Sequence, residues 1–155
     1  MANQAKSATE IRTSIIIQAT PQRVWSILMD FENYPNWNPF IKTIAGKAEK
    51  DARIVAYIEP PGAKGMTFKP KVLVATPNKE FRWLGHLFIP GLFDGEHIFE
   101  LTDNGNGTTT LVQRERFGGI LIPLFKKMLN DNTLRGFEAM NEALKAKAEG
   151  EDLKI

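Results

Sequence analysis

Apolar and polar residues alternate along much of this chain, and elsewhere the apolar ones recur at helical spacing. From Ile11 to Ala19 isoleucine and threonine dominate, as in a strand, and the run stops at Thr20-Pro21. Thr20 suits an N-cap and Pro21 a first helical position, and Val24, Trp25 and Leu28 follow at helical spacing, so a short amphipathic helix is predicted from Pro21 to Met29. The next ten residues, Phe31 to Phe40, hold four aromatics among two prolines and three asparagines, which predicts a short irregular helix and asks for burial or a partner.

Two strands are predicted from Ile41 to Ala48 and from Arg53 to Glu59, ended by Pro60-Pro61-Gly62. Met66, Phe68, Pro70, Val72 and Val74 then mark one face of a single strand. A hairpin turn at Thr76-Pro77-Asn78-Lys79 would set Val74 opposite Phe81, Val72 opposite Trp83 and Pro70 opposite Gly85, with Pro70 implying an edge or bulge. Strands from Glu96 to Thr102 and from Thr109 to Phe117 flank Asp103-Asn104-Gly105-Asn106-Gly107, a run that tolerates positive φ. Pairing Leu101 with Leu111 carries the ladder to Phe99 with Gln113 and to His97 with Glu115. From Ile120 to Ala146 the apolar period is helical throughout.

This order predicts an α+β fold: a curved, antiparallel, seven-stranded sheet around a long C-terminal helix, with two short helices after the first strand. The 155 residues fit one domain, 1–155, with an ordered core of about 10–147. Twenty basic against 18 acidic residues, with Lys126 and Lys127 only a pair, make no phosphate-binding stripe, so no nucleic-acid partner is expected. The absence of cysteine excludes disulfides and thiolate chemistry. No signal-like or membrane-spanning run is present, so the expected location is cytoplasmic, without stable membrane insertion.

Several segments resemble the SRPBCC or START-like superfamily, and within it the polyketide cyclase/dehydrase-type ligand-binding proteins. They are 19–25 (Ala-Thr-Pro-Gln-Arg-Val-Trp), 34–40 (Tyr-Pro-Asn-Trp-Asn-Pro-Phe), 90–97 (Pro-Gly-Leu-Phe-Asp-Gly-Glu-His) and 114–119 (Arg-Glu-Arg-Phe-Gly-Gly), and the likeness runs from about Ile11 to Lys145. It implies a helix-grip fold with a cavity between the concave sheet and the C-terminal helix. It does not imply one activity, because members include both binders and enzymes.

His97 and Glu115 are the candidate acid/base pair, since the alternation that turns Phe99, Leu101 and Leu111 inward turns both of these inward. The plainer alternative is a satisfied polar pair, with Gln113, that orients a ligand or fixes register. Trp37, Pro39 and Phe40 are candidates for gating the cavity mouth. Phe68, Val72, Trp83 and Phe99 are expected in its wall. Met128, Phe137 and Met140, with Asn132 and Phe125 near their stripe, would supply an adaptable helical lining or ordinary core. The loop Ile89 to Gly95 reads as a lid or as a hairpin connection with Leu92 and Phe93 buried. Two histidines without cysteine form no metal set, and neither a nucleophile elbow nor a nucleotide-binding fingerprint occurs, so no metal or cofactor is expected.

Three functions follow as expectations. The first is binding of a lipid-like or aromatic small molecule; the second is a cyclase or dehydratase using His97 and Glu115; the third is a protein- or membrane-interaction module using Trp37 and Phe40. Homodimerisation through the C-terminal helix stays open.

Overall fold

A computed structural model describes residues 9–87 and 89–150. Among the described residues eight strands form two antiparallel sheets. Strands β1 (Thr9–Ile17), β2 (Ile41–Ala45), β3 (Val55–Ile58) and β4 (Met66–Phe68) are followed by β5 (Lys71–Thr76), β6 (Glu80–Leu87), β7 (Phe93–Asp103) and β8 (Thr109–Gly118). The larger sheet runs in the order β1-β8-β7-β6-β5 and the smaller in the order β2-β3-β4.

The expected single sheet of seven strands is therefore corrected to five strands plus three, and the reason lies at Pro70. Without an N–H, Pro70 cannot continue a ladder on both sides. The segment read as one strand breaks there into β4, which pairs with β3, and β5, which pairs with β6. The Pro70 carbonyl instead accepts from Ile54 N at 3.0 Å, and Val72 N donates to Ala52 O at 2.8 Å. These bonds stitch the two sheets along one seam.

The β7–β8 register is the expected one, with Leu101 opposite Leu111, Phe99 opposite Gln113 and His97 opposite Glu115. In β5–β6 Val72 does lie opposite Trp83, but a bulge between Val72 and Val74 shifts the rest, so Val74 faces Arg82 and Ala75 faces Phe81.

Helix α1 (Pro21–Met29) starts where Thr20 Oγ1 accepts from Arg23 N at 3.2 Å. Its buried face is Pro21, Val24, Ile27 and Leu28. A 3-10 turn at Phe31–Asn33 leads into the one-turn helix α2 (Tyr34–Trp37), which accommodates Pro35 in its first turn. Asn38 Oδ1 then accepts from both Phe40 N and Ile41 N at 2.9 Å, turning the chain into β2.

The C-terminal helix is long, as expected, and carries a π turn within it. Helix α3 (Ile122–Met128) passes through a π turn at Leu129–Thr133 into α4 (Leu134–Ala148). Phe137, Met140 and Leu144 of α4 are buried with β1 and β8 residues such as Ile11, Ile17 and Leu111. Arg23 caps the far end of α4, donating from Nε to Ala148 O at 3.2 Å and from Nη2 to Lys147 O at 3.0 Å.

Candidate functional site

Alternation puts Phe81, Trp83, Gly85 and Leu87 of β6 on the same face as Phe93, Gly95, His97 and Phe99 of β7, and as Gln113, Glu115 and Phe117 of β8. At one end of this face α4 closes the space, and Phe81, Phe99, Leu111 and Gln113 are buried. At the other end Gly85 pairs with Gly95, so two neighbouring strands lack side chains side by side. A cavity of about 240 Å³ opens there. Trp83, Leu87, Phe93 and Phe117 line it from the large sheet, Phe40, Ile58, Met66, Phe68 and Pro70 from the small sheet and its connections, and Phe125, Met128 and Leu129 from α3 and the π turn. Its ionisable lining is Glu115 and the exposed Lys64, and Thr133, in the π turn, adds a hydroxyl.

Glu115 belongs to a chain of hydrogen bonds whose proton positions can be worked out in order. The Thr13 hydroxyl has one proton, which it gives to Gln113 O at 2.8 Å, so Thr13 Oγ1 accepts from Asn141 Nδ2 at 2.8 Å. Asn141 Oδ1 therefore accepts from Gln113 Nε2, again at 2.8 Å. That turns Gln113 Oε1 towards His97 Nε2, 3.0 Å away, and an amide oxygen only accepts. His97 must carry its proton on Nε2. Its Nδ1 stands 3.1 Å from Glu115 Oε1, and that contact needs a second, shared proton. With one proton on Nε2 and one shared, the pair is net neutral whichever partner holds the shared one.

The His97 ring is 1% exposed and is packed by Trp83, Phe99 and Phe137, with centroids 5.0, 4.8 and 5.1 Å away. It does not line the cavity. Glu115 does: Oε1 is held by His97, while Oε2 lies over Gly95, where a Cβ would collide with it, and has no hydrogen-bond partner among the described residues.

The structure divides the residues singled out in the sequence into three groups. Phe40, Phe68, Trp83, Glu115 and Met128 line the cavity. Val72, Phe99, Gln113, Phe137 and Met140 are buried behind it as core, and of these Phe99, Gln113 and Phe137 hold the His97 ring that bonds Glu115. Trp37 and Asn132 stand apart: Trp37 is half-buried against Tyr34, with centroids 5.3 Å apart, and Asn132 Nδ2 donates to Pro61 O at 2.7 Å, tying the β3–β4 loop to the helix. Phe40, at 2% exposure, is not offered to a partner.

Sequence reasoning passed over Gly85, Gly95, Leu87, Phe117 and Thr133 as site residues. The strand residues among them share the phase of His97 or Trp83, and that phase was the available signal. Thr133 had none, because the π turn shifts the helical phase. No group of three or more histidine, aspartate or glutamate side chains could hold a metal ion among the described residues, and no helix there is long and apolar enough to cross a membrane.

Among solved structures, the Zhui aromatase/cyclase from Streptomyces sp. R1128 has a TM-score of 0.76 at 14% identity, covering 94% of this chain and 96% of that one. A START superfamily protein from Mycobacterium smegmatis has a TM-score of 0.69 at 22% identity, covering 90% and 97%. A norcoclaurine synthase point mutant from Thalictrum flavum has a TM-score of 0.71 at 10% identity, covering 97% and 99%. At such identities the likeness shows the START-like helix-grip fold alone. No curated protein matches. The match to the polyketide cyclase / dehydrase and lipid transport family, in contrast, runs over residues 8–149, and the chain belongs to that family.

Proposed function

We propose that the protein binds a compact apolar molecule in the cavity between β6–β8 and the C-terminal helix. The observation that carries this reading is the cavity itself: about 240 Å³, walled almost wholly by aliphatic and aromatic side chains, with one carboxyl group set into the wall. That volume lies just under the ~300–1,000 Å³ of sites for drug-sized ligands, which favours a one- or two-ring molecule or a short acyl chain. Removing its apolar surface from water, at roughly 25 cal/mol per Å², supplies most of the affinity. Native mass spectrometry of the protein from its own host, followed by denaturing extraction, tests the reading. A copurifying apolar compound is expected; an empty protein that also fails to take up naphthalene-sized probes would overturn it.

A second reading, cyclase or dehydratase chemistry, is favoured by the 3.1 Å contact between His97 Nδ1 and Glu115 Oε1. Because His97 is walled off, Glu115 would be the group that exchanges a proton with the ligand, and His97 would hold and resupply it. Turnover of a bound polyketide-like compound that is lost in Glu115→Gln, with binding retained, would support this. Binding without turnover would leave the first reading alone.

A further inference from the structure

The proton order along Thr13, Asn141, Gln113 and His97 settles the hydrogen-bonding character of the one carboxyl oxygen left to the cavity. If the shared proton sits on His97, Glu115 is a carboxylate and Oε2 accepts. If it sits on Glu115 Oε1, Oε2 is the carbonyl oxygen of the acid and still accepts. Both arrangements give the cavity an acceptor at this point and a pair with no net charge.

Resting on the reading of the cavity as a ligand site, we infer that its ligand carries a neutral hydrogen-bond donor, a phenolic or alcoholic hydroxyl, at the buried end, donated to Glu115 Oε2. A carboxylate at that end sets acceptor against acceptor with no proton between them. An ammonium loses its hydration in an apolar chamber whose polar pair offers no net counter-charge. A bare hydrocarbon leaves Oε2 desolvated and unpaired. A ligand's anionic group has a place only at the rim, near the exposed Lys64. The Thr133 hydroxyl can donate or accept, so it does not alter this selection.

The test uses three probes of one shape, 2-naphthol, 2-methylnaphthalene and 2-naphthoate, measured by calorimetry at pH 7 against the wild-type chain, Glu115→Leu and Glu115→Gln. For the wild type, 2-naphthol is expected to bind about tenfold tighter than 2-methylnaphthalene, the worth of one added hydrogen bond to a buried acceptor, and 2-naphthoate weaker than both. Glu115→Leu should erase the advantage of the naphthol, and 2-methylnaphthalene should bind this variant more tightly than the wild type, because no acceptor is left desolvated beneath it. Glu115→Gln should keep the advantage, because its amide can donate to His97 Nδ1 and leave its oxygen facing the cavity. If 2-methylnaphthalene binds but 2-naphthol gains nothing, or if the gain survives in a folded Glu115→Leu, the inference is overturned and the cavity reading stands. If no probe binds, both fall. Should Glu115→Leu not fold, the wild-type probe series and Glu115→Gln decide.

Discussion

The ring of Phe40 lies directly on the backbone of Gly136, in the space where a Cβ would stand, and the same ring meets Phe137 with centroids 5.5 Å apart. A glycine inside α4 is unfavourable by about 1 kcal/mol relative to alanine. It is retained where helix and aromatic segment meet at backbone distance. Gly136→Ala is expected to lower stability despite the better helix propensity, because overpacking costs about 1–3 kcal/mol. Chemical denaturation would show a lower midpoint, and a rise would mean that Phe40 yields freely.

Gly85 offers the opposite case. A Cβ there would meet Pro70 Cβ at 3.5 Å, an ordinary contact, and beyond it lies the cavity. Gly85→Val should fold with stability unchanged or raised by up to about 1 kcal/mol, since glycine weakens a strand interior. It should also abolish uptake of 2-methylnaphthalene. Calorimetry and thermal unfolding of the same sample separate the two effects.

Gln113 joins two polar side chains that are otherwise enclosed. Gln113→Leu leaves His97 Nε2–H and Asn141 Oδ1 buried without partners, at about 1–3 kcal/mol for each unsatisfied group. A loss of at least 2 kcal/mol in denaturant unfolding is the expected outcome, together with a changed imidazole tautomer signature by nitrogen NMR.

Across the outer face of the large sheet, Arg114 donates to Glu100 from Nε and from Nη2, both at 3.2 Å, and these bonds, against a smaller effect of burial, hold the Glu100 carboxyl below its usual range. A carboxyl lowered by folding contributes stability above its unfolded value of about 4 and loses it as pH falls through the folded value. Glu100→Gln should therefore flatten the acid limb of the stability profile below about pH 4. An unchanged limb would show that the pair is screened.

How much of this could be read from the chain depends on the element. The register of the β7–β8 hairpin was legible, because a glycine-rich turn fixes register and alternation fixes the face. Strand β7, however, begins at Phe93, inside the segment expected as a loop or lid and three residues before the expected Glu96. The break at Pro70 was legible only as a warning: a proline announces that pairing stops, not that the chain changes sheets. Alternation also correctly turned Phe99, Gln113, His97 and Glu115 to one face. It could not tell depth along that face, so Phe99 and Gln113, beneath α4, looked the same as Phe93, Gly95 and Phe117, which line open space. That distinction depends on where the helix lies across the sheet and on the π turn that offsets it, and neither is a local property of sequence.

The hydrogen-bonded chain behind Glu115 also has a consequence for assembly. Thr13 reaches Gln113 across 100 residues and Asn141 reaches Thr13 across 128. During synthesis β1 emerges long before its neighbour in the sheet, β8, and before α4. Contacts this distant in sequence make folding slow. The tautomer of His97, and with it the acceptor set into the cavity wall, is among the last features to form, so a nascent chain stalled before Asn141 would have most of the sheet and none of the site's selectivity.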